Sequence, residues 1–180
     1  MLAVRMLILA LIALAPQAAR AQAPAGLQNK SAVVSWTENR TQRYVDEGVT
    51  ESVGVPYTYQ VYFSSAGRPF ARLTVANRRG VTASRERVGT GERSRDGGVR
   101  SLQMRGNTLV STSGHGGGAR QIRVTFDGGY SSCSANVILG RSGGGKVMMT
   151  NLVSGKRMEI LSNTTSGATC SLRSGNVFGN

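Results

Sequence analysis

Beyond its first residues the chain shows almost no helical periodicity. Apolar residues recur instead at every second position, in short runs. Ala32, Val34 and Trp36 share one side of a first run. Tyr57, Tyr59, Val61 and Phe63 share one side of a second, with Thr58 and Gln60 opposite. A two-residue period puts one face of a strand in a core and the other in water. Ala71, Leu73 and Val75 repeat the pattern against Arg72 and Thr74. Val99 to Arg105 directs Leu102 and Met104 inward, and Thr108 to Thr112 pairs with it across Gly106-Asn107. Ile122, Val124 and Phe126 lead into the turn Asp127-Gly128-Gly129, and Cys133, Ala135, Val137 and Leu139 alternate after it. Lys146 to Asn151, Arg157 to Leu161 and Ala168 to Arg173 complete the series.

Turn signals separate these runs: Ser64 to Arg68, Asn77 to Gly80, Ser142 to Gly145 and Ser154-Gly155. The 24 glycines follow no collagen-like period and gather between the runs. Short alternating segments joined by glycine-rich turns predict an all-β domain, an antiparallel sandwich or barrel of about 8–10 short strands. Between Val81 and Gly98 the apolar content falls, which predicts a charged edge strand or a mobile loop.

The amino terminus changes the picture of where the domain resides. Met6 to Ala15 is an unbroken apolar run behind Arg5, and Ala19-Arg20-Ala21 supplies the small-x-small pattern of a signal-peptidase site. Ten apolar residues are too few to span a bilayer, which needs about 20. Gln22 stands where a lipid-anchored protein would carry a cysteine. The organisation expected is a signal peptide over 1–21, a flexible lead-in over 22–30 and one β domain over 31–180. A bacterial-type signal of this kind sends the mature protein to the periplasm or the exterior, with no membrane-spanning segment.

Export bears on the cysteines. Cys133 and Cys170 are the two in the chain, and in an oxidising compartment an even count predicts a disulfide. Closing a loop of about 38 residues would add about 4 kcal/mol by restricting the unfolded chain.

Charge narrows the partners. The chain has 22 Lys and Arg against 9 Asp and Glu, and loss of Arg5 and Arg20 with the leader leaves a net of +11. Such a balance draws anions to the surface. In an exported protein the expected partners are anionic lipid, lipopolysaccharide or acidic glycan, not nucleic acid. The densest stretch, Arg68 to Arg105, holds ten arginines against Glu86, Glu92 and Asp96. Arginine's planar fork pairs bidentately with phosphate and carboxylate. Arg78, Arg79, Arg85, Arg87, Arg93 and Arg95 are therefore the candidate anion-binding residues. The same charges would also protect a sheet edge from aggregation.

Candidate chemistry adds little. Gly114-His115-Gly116-Gly117-Gly118 resembles an oxyanion-hole string, and Gly140-Arg141-Ser142-Gly143-Gly144 fits Gly-x-Ser-x-Gly. A nucleophile elbow needs a helix after its serine and a histidine later in the chain. Here a strand pattern follows Ser142, and the single histidine precedes it. Gly140 to Lys146 approaches a phosphate-binding loop, but Val147 stands where Ser or Thr would hold magnesium. One histidine and two paired cysteines cannot build a four-ligand zinc site. Asp46, Glu47 and Glu51 read as a solvated loop. No cofactor is expected.

The function expected is that of an exported, non-enzymatic envelope protein whose basic surface binds an anionic component. One alternative is a protein-interaction module or inhibitor that uses a sheet edge. Another is a hydrolase built on a carboxylate pair drawn from Glu38, Asp46, Glu51, Glu86, Asp127 and Glu159.

Overall fold

A computed structural model describes residues 22–76, 82–84, 88–89, 99–114, 119–140, 147–151 and 154–178. They contain a 3-10 turn, Ala25–Leu27, and twelve strands. Two long strands come first, β1 (Lys30–Tyr44) and β2 (Thr50–Phe63). Next are β3 (Pro69–Ala76), β4 (Thr82–Ser84) and β5 (Val88–Gly89). Four strands of similar length follow: β6 (Val99–Arg105), β7 (Thr108–Ser113), β8 (Arg120–Phe126) and β9 (Cys133–Leu139). The chain ends with β10 (Val147–Thr150), β11 (Arg157–Thr165) and β12 (Thr169–Ser174).

The fold is all-β and antiparallel, as the alternation predicts, with two packed sheets. The larger runs β10-β11-β1-β2-β3-β4, with β12 also beside β1 and β5 beside β3; the smaller is β6-β7-β8-β9. Two of the strands, β4 and β5, lie in the stretch where the sequence pattern weakens. They pair with β3 at the margin of the larger sheet.

β1 organises the molecule. Its second half pairs with β11 and its first half with β12, so these two act as one strand interrupted at residues 166–168. The Ser166 amide donates to the Thr37 carbonyl at that break. On its other side β1 meets β2 without interruption from Lys30 to Arg43.

Inward-facing Ala32, Val34, Trp36, Tyr57, Tyr59 and Phe63 of the larger sheet are buried against Leu109, Ile122, Val124 and Phe126 of the smaller. Phe63 and Phe126 meet edge to face, with centroids 5.7 Å apart. Cys133 on β9 and Cys170 on β12 form the expected disulfide, a covalent tie between the two sheets.

The segment 22–30 departs from the flexible lead-in read from Pro24 and Gly26. Ala23 and Leu27 are buried in the core, and the Ala23 amide donates to the Gly67 carbonyl. Gly67 (φ 70°) turns the β2–β3 connection, and a Cβ there would press on the Ala23 backbone at 3.0 Å. A Cβ on Gly26 would overlap the Tyr130 ring. Burial of Leu27 outweighs the local freedom that the glycine and the polar neighbours suggested.

At the other terminus the chain folds back over the outer face of the larger sheet. Gln60 and Arg72 donate to the Val177 and Phe178 carbonyls at 3.4 and 3.2 Å. The Arg72 guanidinium lies 5.0 Å above the buried Phe178 ring. Among the described residues no helix is long and apolar enough to cross a membrane.

Candidate functional site

The inward face of β1 changes character halfway along. Ala32, Val34 and Trp36 give way to Glu38, Arg40 and Gln42, all buried. The change falls where β12 hands over to β11. At this level the last residue row of the smaller sheet brings Arg120, at the start of β8, to the interior.

Glu38 lies at the centre with no solvent exposure. Arg40 donates to its Oε2 from Nε at 3.1 Å and from Nη2 at 2.6 Å. Arg120 donates to both carboxylate oxygens, with Nη2 at 2.9 Å from Oε2. Asn163 on β11 donates at 3.0 Å and the Trp36 indole at 3.4 Å. The Tyr57 hydroxyl accepts from Arg40 and from Arg120. Trp36 stacks on the Tyr57 ring, 5.2 Å between centroids and 8° between planes. The Arg120 and Arg40 guanidiniums lie 4.5 and 5.4 Å from that ring's centroid.

Two guanidiniums and one carboxylate leave a net positive charge inside the protein, and the aromatic ring and the phenol oxygen help to accommodate it. Burial pushes the Glu38 carboxyl up, but Arg120's hydrogen bond and charge, then Arg40's charge and Asn163's hydrogen bond, outweigh it. They hold the group at about 2, against an ordinary 4.5. Burial acts on Arg120 to favour the neutral form, yet Glu38 keeps its guanidinium pKa above the ordinary value. The pair is permanently ionised at neutral pH. A carboxylate so saturated with donors has no proton to give and no basicity to spare, so it is unsuited to general acid–base work.

Three hydroxyls lie buried in the same interior and meet no partner in good hydrogen-bond geometry: Tyr59 on β2, and Ser111 and Ser113 on β7. Burial pushes the Tyr59 phenol up, and the nearby Ser111 hydroxyl opposes this.

The other carboxylates are also engaged. At the hairpin end of β1 and β2 (the arm), Asp46 pairs with Arg157 at 2.8 Å and Glu47 with Lys156. Glu159 pairs with Arg43, and Glu51 accepts from Gln42 at 2.9 Å. At the opposite end Asp127 caps its own turn, accepting from Ser131 and Ser132. Each described carboxylate thus sits among donors. By contrast Arg68, Arg100, Arg105, Arg123 and Arg173 are exposed and form no ion pair among the described residues.

The chain matches no known family model, no curated protein and no solved structure. Function has to be read from geometry and charge. The six candidate arginines, Arg78, Arg79, Arg85, Arg87, Arg93 and Arg95, lie outside the described residues, as do the signal segment 1–21, His115, Ser142 and Lys146. Tyr57 and Tyr59 pack in the core. Among the described residues no three His, Cys, Asp or Glu side chains gather to hold a metal. The carboxylate candidates include Glu38, whose partners in the fold are arginines. The arginines that complete its cluster, Arg40 and Arg120, escape a search for apolar alternation because they occupy inward positions with charged side chains. The available signal was the registered pattern Trp36-x-Glu38-x-Arg40 continuing a strand.

Proposed function

We propose that the protein is an exported, non-enzymatic binding domain of the cell envelope that uses its cationic surface to engage an anionic component. The observation that carries this reading is the segregation of charge. Among the described residues, acidic groups are neutralised in the interior, on the arm or within one turn, whereas the exposed Arg68, Arg100, Arg105, Arg123 and Arg173 form no ion pair. A surface so arranged attracts polyanions, because the described carboxylates are already engaged with partners of their own. The hydrolase alternative finds no support at Glu38, where a carboxylate held ionised cannot act as the acid of a pair.

The test is binding of the mature protein to purified lipopolysaccharide, anionic lipid vesicles and a polyuronate across a salt series. Raising ionic strength from about 0.1 M to about 1 M cuts the screening length from about 10 Å to about 3 Å. The proposal expects binding to at least one of these to be lost over that range. Tight binding of a neutral ligand, unchanged by salt, would contradict it.

A second reading comes from the arm. Among the described residues β10 is an edge strand of the larger sheet, and Met148 on it and Leu161 on the neighbouring β11 are each 51 % exposed. That edge suits strand addition by a protein partner. Co-purification of a stoichiometric protein, lost on Met148→Lys, would favour it.

A further inference from the structure

We infer that the outer face of the β6–β9 sheet is a docking surface for an acidic polysaccharide, with Arg105 and Arg123 as its anion contacts. This deepens the anionic-partner reading above and rests on it.

The two outer faces of the sandwich differ. The larger sheet's outer face is partly covered by the C-terminal segment, whereas Gln103, Arg105, Arg123, Thr125 and Asn136 on the smaller sheet are exposed. The outward positions of β6–β9 carry threonine, serine, glutamine, asparagine and the arginines Arg105 and Arg123, with a third exposed arginine, Arg100, at the β6 bulge and Val110 and Ile138 as the apolar exceptions. No carboxylate occurs among them, so an approaching anion meets no repulsion from within the face.

Register fixes where the arginines stand. Arg123 lies in one row with Gln103, Val110 and Asn136, and Arg105 lies in the next row with Thr108 and Thr125. They are two strands and two residues apart, a separation of about 12 Å on ordinary sheet dimensions. Each is steadied by the glutamine two residues before it on its own strand. Arg105 Nη2 donates to Gln103 Oε1 at 3.1 Å, and Arg123 Nε donates to Gln121 Oε1 at 2.8 Å. Using Nε leaves the terminal fork of Arg123 for a ligand carboxylate. Held side chains lose less rotamer freedom on binding than mobile ones.

The rest of the face chooses among anionic partners. A lipid surface calls for apolar side chains that enter the headgroup region, and Ile138 is the one large apolar side chain exposed here. Protein interfaces favour aromatic anchors, and single-stranded nucleic acids are held by aromatic stacking; the face has no aromatic residue. Rows of Thr, Gln and Asn about 4.8 Å apart instead offer donors and acceptors to a hydroxyl-rich chain, and Arg105 and Arg123 offer charge-assisted bonds to its acid groups.

The test measures binding of a polyuronate, a neutral glucan and anionic lipid vesicles to the mature protein and to Arg105→Ala/Arg123→Ala. Arg157→Ala, on β11 of the other sheet and already paired with Asp46, serves as a control, and thermal melting checks the fold. The inference expects the polyuronate to bind and the glucan and vesicles to bind far more weakly. It expects the double variant to lose about 10-fold or more in affinity, the effect of at least one charge-assisted bond. Arg157→Ala should stay within about twofold, and both variants should melt close to the parent because the changed side chains are exposed. Unchanged polyuronate binding in the double variant would overturn this inference yet leave the anionic-partner reading standing, as would binding of vesicles alone. Salt-insensitive binding, or none to any polyanion, would overturn both.

Discussion

The two ends of the sandwich interior solve one problem with different chemistry. At one end Ala32, Val34, Phe63 and Phe126 form an apolar core, and the sheets are joined covalently by Cys133 and Cys170. At the other end Glu38 and Arg40 occupy the same inward face of the same strand, and the sheets are joined by the ion pair of Glu38 with Arg120. The apolar end needs no partner geometry beyond shape, since apolar burial is non-directional. The polar end depends on every donor being in place, because a buried charge left alone is far costlier than a lost methyl group. A polar interior is thus a means of fixing register: Glu38 reaches its full set of partners only when β1, β8 and β11 are aligned as observed.

The largest effect should come from breaking the polar end. Glu38→Ala strands two guanidiniums in the interior and should cost about 5 kcal/mol in urea denaturation, the upper end for breaking a buried ion pair. Replacing the whole cluster, Glu38→Met with Arg40→Leu and Arg120→Met, should recover most of that loss, because no buried charge remains to be compensated. Poor recovery would show that the cost lies in packing and not in unpaired charge.

Breaking the apolar end's tie comes next. Cys133→Ser with Cys170→Ser should lower stability by about 4 kcal/mol, mainly by freeing the unfolded chain. The same loss on adding a thiol reductant to the unmodified protein would confirm that the bond, not the serine packing, is responsible.

Acid should separate the two ends. Glu38 titrates at about 2 in the fold against an ordinary 4.5, so the unfolded chain takes up its proton first. The stabilisation is fully present above pH 4.5 and fades as pH falls towards 2, by about 3 kcal/mol. A disulfide-free protein should retain this acid loss, and the uncharged triple variant should lack that part of it.

The smallest effect is expected from Tyr59→Phe. The buried hydroxyl has only the Ser111 hydroxyl beside it, outside good hydrogen-bond geometry, so its removal should change stability by less than about 0.5 kcal/mol or slightly raise it. A loss of 2 kcal/mol or more, beyond what one hydrogen bond contributes, would mean that the hydroxyl has a partner in solution.

Legibility in the sequence followed the same division. Alternation located the apolar half of nearly every strand, and Gly67, Gly106, Asp127 and Gly155 marked their turns. It failed where inward positions are polar. Glu38, Arg40 and Gln42 interrupt the hydrophobic signal, so β1 reads as ending near Trp36 although it continues to Tyr44. Asp46, Glu47 and Glu51 then resemble a free loop, although each has a partner across the arm. The lead-in at 22–30 misreads for the opposite reason, since its polar and glycine neighbours hide Ala23 and Leu27, whose burial is decided by distant residues. The disulfide was accessible from the even cysteine count and the expectation of export, whereas the ion cluster needed the pairing of β1 with β11 and the approach of β8.

The most direct test is a carbon-13 titration of the Glu38 side-chain carboxyl in the folded protein. A midpoint near 2, with the carboxylate ionised throughout the neutral range, would establish it as the anionic partner of two arginines and a structural tie. A midpoint at or above the ordinary 4.5 would mean that the arginines do not hold it, and would return Glu38 to the carboxylates able to move protons in catalysis.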